Sequence, residues 1–136
     1  MLKIIREKSE VNEEERIVKY MILDSFNNEY IGIAKCHPDD CFRETGGRLI
    51  AETRARIKFM KAIIRNELYP KRECLIHLLS TYKKDDNTYK VERELSNIEE
   101  DIATVKTFIK NEQEYLQTCI DTLNSISARA NRNKQD

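Results

Sequence analysis

Between Val91 and Ile126 the residues Leu95, Ile98, Ile102, Val105, Ile109, Glu112, Leu116, Cys119, Leu123 and Ile126 recur in alternating steps of three and four. A repeat of 3.5 residues draws a seam down one side of an α-helix, and a second helix must cover it. At about 1.5 Å per residue this helix would run roughly 50 Å, and it is not stable alone. Residues 48–82 carry a second stripe: Ile50, Thr53, Ile57, Met60, Ile64 and Leu68, then Leu75, Leu78, Leu79 and Tyr82. Pro70 falls between the two parts. Its missing N–H and bulky ring predict a kink or short break at Leu68–Tyr69. Two helical segments of matching length predict an antiparallel hairpin.

The first third of the chain has a different rhythm. Leu2–Arg6, Arg16–Leu23 and Tyr30–Lys35 are rich in β-branched and aromatic residues, and turn-forming stretches at 12–15 and 24–29 separate them. They predict a three-stranded antiparallel meander with one face covered, since so small a sheet is marginal alone. Pro38, Asp39 and Asp40 suit the start of a helical turn. Gly46-Gly47 marks either a break or a close approach. Residues 83–88 read as a polar loop, with Asn87 or Thr88 capping the next helix. Acidic residues early in that helix (Glu92, Glu94, Glu99, Glu100, Asp101) and basic ones late (Arg129, Arg132, Lys134) complement its dipole. The expected chain is one α+β domain, dominated by helix. A β-meander (1–37) leads into a kinked helix (38–82), a long coiled-coil-like helix (88–130) and a frayed tail (131–136).

Composition sharpens this picture. Three glycines and two prolines in 136 residues fit long helices and few loops. The 24 basic and 24 acidic side chains cancel, so only their local distribution speaks about partners. No 18-residue apolar run spans a membrane, and Met1–Glu7 lacks the apolar core of a signal peptide. The four cysteines contain no C-x-x-C pair, so free thiols and a cytoplasmic location are expected.

The clearest polar pattern is a row of cations, Arg54, Lys58, Lys61 and Arg65, continued by Arg72 and flanked by Arg48 and Arg56. Steps of four, three, four and seven place the row on one helical face. It is either an anion-binding stripe or a solvated face paired with the acidic start of the long helix. Only Phe59 and Tyr69 are interleaved with it, which supports nucleic-acid binding weakly. Cys36, His37, Cys41, Cys74 and His77 lack zinc-site spacing, so no metal and no cofactor are expected. Cys119 reads as core, and His77 reads as a packed helix residue. No nucleophile–base motif and no phosphate-binding glycine loop occur, so the chain is not expected to be an enzyme. Glu112, the one charge in the seam, either sets a register or marks an exposed stretch.

The segment Ala34-Lys35-Cys36-His37-Pro38-Asp39-Asp40-Cys41-Phe42, followed by Glu44-Thr45-Gly46 and Ala51-x-x-Arg54-Ala55-x-x-Lys58, resembles small uncharacterised proteins encoded by bacteriophages and prophages. In those a strand enters a Cys-x-Pro-x-Asp-x-Phe turn and two long helices follow. The resemblance implies a phage-type origin and no particular activity. It frames the expected function as non-enzymatic binding that counteracts a host antiviral defence. The sharper form is a homo-oligomeric sponge whose Arg54, Lys58, Lys61 and Arg65 grip a nucleotide-like signal. The alternatives are a protein-directed inhibitor of a host defence effector, a nucleic-acid-binding protein or a phage structural protein.

Overall fold

A computed structural model describes residues 2–36, 44–81 and 86–135, with side chains given for all but Asp86 and 127–135. Three strands, β1 (Ile4–Asn12), β2 (Ile17–Asp24) and β3 (Glu29–Lys35), form one antiparallel sheet in the order β1-β2-β3. Helix α1 (Glu44–Ile63) runs through a π-helical turn (Ile64–Leu68) into α2 (Tyr69–Thr81), and α3 spans Asp86–Gln135. The chain is therefore α+β, with a three-stranded meander followed by dominant helix. No helix among the described residues is long and apolar enough to cross a membrane.

Alternation along β2 sorts its side chains by face: Val18, Tyr20, Ile22 and Asp24 are buried, while Ile17, Lys19, Met21 and Leu23 are not. The buried set packs with Ala34 of β3 and with Ala51, Ala55 and Phe59 of α1. Small residues on α1 allow the helix backbone to come close. A Cβ added at Gly32 would collide with the Ala51 carbonyl oxygen and lie 2.6 Å from the Ala55 nitrogen. This close approach locks α1 across β2 and β3. The rings of Tyr30 and Phe59 meet edge to face, with centroids 5.4 Å apart, and fix the same contact.

The other side of α1 meets α3. Leu123 lies against Gly46, Ile109 packs with Ile57 and Ile64, and Ile98 and Ile102 pack with Leu75. The order of these contacts is opposite along the two segments, an antiparallel arrangement compatible with the expected hairpin. All ten seam positions are at least partly buried, while nearly all residues between them are exposed. The 3.5-residue repeat thus identified the packed side of α3. Helix α1 is sandwiched, with the sheet on one side and α3 on the other.

Several expectations change. Strand β1 continues to Asn12, well past Arg6, and all nine of its residues are exposed. Pairing with β2 rather than burial holds it, so apolar pattern alone underestimates its length. Just before Pro70 the regular α-helix is interrupted, as expected, but by a π-helical turn, Ile64–Leu68, rather than by a loop. The Tyr69 N–H reaches back to the Ile64 carbonyl, and this one wide turn absorbs the clash that a proline makes four residues back. Gly46 and Gly47 are places of close approach, not a break. A Cβ on Gly46 would lie 2.7 Å from a Leu123 methyl, and one on Gly47 would lie 2.9 Å from a Val18 methyl. Helix α3 starts at Asp86, which puts Asn87 and Thr88 inside its first turn rather than at the cap. Its extent reaches Gln135, into the segment expected as a polar tail. Helix-compatible residues there continue a long template with no proline or glycine to stop it. The Pro38 turn, Cys41 and residues 83–85 lie outside the described residues.

Candidate functional site

The cation row has been recruited to the sheet edge. Arg54 Nη1 donates to the Ile33 carbonyl and Lys58 Nζ to the Ile31 carbonyl, both at 2.6 Å. On an antiparallel edge strand, residues two apart expose their backbone groups to the same side. The spacing of four along α1, about 6 Å, matches two residues along a strand, about 6.6 Å. Helix and strand are thus commensurate, and two charged donors satisfy two edge acceptors. Lys61 and Arg65 continue the row and are exposed. Arg65 is close enough to Tyr30 for its charge to favour ionisation of the phenol slightly.

The row's cations are not paired with the acidic start of α3, because the antiparallel packing sets that region against α2. Arg54 and Lys58 each spend one donor on the sheet edge, which fixes where their remaining donors sit relative to Lys61 and Arg65. The cation that does cross to α3 is Arg56, which pairs with Glu52 one turn back and approaches Glu112 at 3.7 Å. The Glu112 side chain is 17% exposed, so the seam is not open there. At that distance the contact is ionic only, and the buried Glu112 Oε2 has no hydrogen-bond partner among the described residues. Arg72 instead stacks over the Tyr69 ring at 4.7 Å.

Beside the row lies a surface that apolar periodicity in β2 and β3 hinted at but did not orient. The sheet face turned away from α1 carries Ile17, Met21 and Leu23 from β2 and Ile31 and Ile33 from β3. The register sets Met21 opposite Ile31 and Lys19 opposite Ile33. Ile33 is 48% exposed. Around this apolar centre stand Arg6, Lys8, Lys19 and Lys35, with Glu10 and Glu29. The signal in sequence was that both alternating sets of β2 are largely apolar.

At one end of the sheet, Asp24 is fully buried and organises the β2–β3 turn. Its Oδ1 accepts the backbone N–H groups of Phe26 and Asn28, at 2.8 and 3.0 Å. Its Oδ2 accepts the Tyr30 hydroxyl at 2.7 Å and the Asn28 amide. Burial opposes ionisation, but these four donors outweigh it and hold the carboxyl below its usual range. Burial and this hydrogen bond push Tyr30 up to about 12. Asn27 adopts the left-handed backbone, φ 64°, that the turn requires. Asp24 carries no catalytic partner of the usual kind, and its role is structural.

The remaining candidates are dispersed. Cys36 and Cys119 are half-buried, whereas Cys74 is exposed. Cys119 packs against the core cluster, as expected. His77 is exposed rather than packed: Leu75 takes the buried side of α2, and Ile76 and His77 lie round the helix from it, facing outward. Among the described residues no three His, Cys, Asp or Glu side chains are placed to hold a metal ion. A concavity of about 910 Å³ at the β1–β2 turn is lined by Glu10, Glu13, Glu14, Glu15 and Glu44, with Lys19. Comparison of the chain with protein-family models, with curated proteins and with solved structures returned no match.

Proposed function

We propose that this chain is a non-enzymatic binding protein whose working surface is the outer face of the sheet together with the cation row at its β3 border. The observation that carries the reading is the docking of Arg54 and Lys58 on the carbonyls of Ile33 and Ile31. Through that contact one strand presents apolar side chains and borders on cationic ones. Such a surface, an apolar centre with four cations and two carboxylates around it, is complementary to a protein that offers an apolar patch ringed by Asp and Glu. Of the expected functions, this geometry favours the protein-directed inhibitor. The resemblance of residues 34–58 to phage-encoded proteins makes a bacterial defence protein the natural target, and that part of the proposal rests on resemblance alone.

Immobilised protein should then capture a stoichiometric partner from bacterial lysate. Capture should weaken as salt rises, vanish in Ile33→Asp, and persist in Phe108→Asp, whose site lies on α3. Capture indifferent to Ile33→Asp would sink the proposal. The oligomeric sponge for a nucleotide-like signal remains the second reading, favoured by the exposure of Lys61 and Arg65 in line with the other two cations. Calorimetry with a panel of cyclic nucleotides tests it. No heat, or heat unchanged in Lys61→Ala with Arg65→Ala, excludes it.

A further inference from the structure

We infer that the outer edge of β1 pairs with the β1 edge of a second copy, giving an antiparallel six-stranded sheet in the order β3-β2-β1-β1-β2-β3. Among the described residues the extensive contacts of β1 are with β2 alone, and its nine residues are exposed. An edge strand of that length is a template for strand addition, and chains commonly guard such edges with charged side chains, Pro or bulges; β1 has a bulge only at its start, between Ile4 and Arg6. Here the signs alternate, and they are self-complementary about Lys8. With a two-fold axis at Lys8 normal to the sheet, Arg6 stands opposite Glu10 of the second copy and Glu7 opposite Ser9, each pair occurring twice, while Ile5, in the bulge between Ile4 and Arg6, comes near Val11 at the strand end.

The fold restricts the alternatives. Residues opposite each other must lie on the same face, so the axis passes through a residue and the register moves in whole steps. An axis at Glu7 would oppose Arg6 to Lys8. An axis at Ser9 would oppose Ile5 to Glu13 and Glu7 to Val11. Only the Lys8 register joins apolar to apolar and cation to anion. The two Lys8 side chains that meet on the axis are each within 3.1 Å of Glu10 on their own strand, which offsets their repulsion. The product has a further consistency. Both its free edges are β3, the edge that Arg54 and Lys58 already cap, so pairing stops at two copies.

Sedimentation velocity on the full chain tests this. Wild type should be a dimer at tens of micromolar. Arg6→Glu and Glu10→Arg should each weaken the dimer at least tenfold, and the double exchange should restore it. Lys8→Cys should form an intermolecular disulfide under mild oxidation more readily than Glu10→Cys, since only position 8 lies on the axis. Unchanged circular dichroism melts in the single variants would separate loss of pairing from loss of fold. A monomeric wild type, or a dimer indifferent to Arg6→Glu, overturns the inference. Arg6 and Glu10 also border the Ile33 surface, so the variant that separates the two readings is Ile33→Asp, on the opposite edge strand, which should leave the dimer intact.

Discussion

Along β3 the carbonyls of Ile31 and Ile33 are held by Lys58 and Arg54, whereas no described residue covers the outer backbone edge of β1. The two edges belong to one small sheet, and α1 accounts for the difference between them. Gly32 lets α1 settle against β3, which brings two cations within reach of one edge and leaves β1 beyond the helix. Edge protection in this molecule is therefore a consequence of helix placement. The strand sequences contribute little to it. Ile31 and Ile33 would make β3 the more hazardous edge if it were uncapped, and it is the one that is closed.

The comparison breaks most completely at Gly32. Gly32→Ala drives a methyl into the α1 backbone, which cannot yield as a flexible side chain would. A loss of more than about 3 kcal/mol is expected in urea unfolding, with both edges exposed as α1 lifts. Asp24→Ala comes next, because four donors around a fully buried site lose their acceptor. About 2–3 kcal/mol should be lost, chiefly from the β2–β3 turn. The same carboxyl predicts an acid response. Its folded pKa is depressed, so its contribution is fully present above the unfolded value, near 4, and disappears as pH falls through the folded one. Melting temperatures followed from pH 6 to pH 2 should fall more steeply in wild type than in Asp24→Asn.

Uncapping β3 without disturbing the core sharpens the contrast. Arg54→Met with Lys58→Met removes two exposed charged hydrogen bonds, and a loss of only about 1–2 kcal/mol is expected. The larger consequence should be association. With β3 open, sedimentation should show species above the dimer, growing with concentration. The smallest effect belongs to β1, where Val11→Thr should change monomer stability by less than about 0.5 kcal/mol, since the side chain is exposed and the strand type is kept. A large loss there would mean that β1 is packed more like β3 than its exposure indicates.

Much of the frame could be read from residues in a row. The seam from Leu95 to Ile126 marked the buried side of α3 because a 3.5-residue repeat has one geometric meaning on a helix. Val18, Tyr20 and Ile22 marked the buried side of β2 for the same reason with period two. The cation row starts on α1, where Arg54 and Lys58 lie together at the sheet edge, and passes into the π turn at Arg65. Its employment was misread, since nothing within residues 54–65 reveals that the strand carbonyls of Ile31 and Ile33 lie alongside. His77 reads as packed from its apolar neighbours Ile76 and Leu78. On a helix, however, adjacent residues point about 100° apart, and only Leu75 and Leu78 of this stretch reach the core.

Local order in the chain thus dictated which residues repel water together, and hence the elements and their buried stripes. Periodicity follows from backbone geometry that every segment carries within it. Which cation meets which carbonyl, whether Glu112 finds Arg56, and which edge of the sheet stays open depend on contacts between segments far apart in sequence. The close fit of α1 against Gly32 settles the first and the last of these, and the packing of α1 on α3 around Ile57 and Ile109 settles the second.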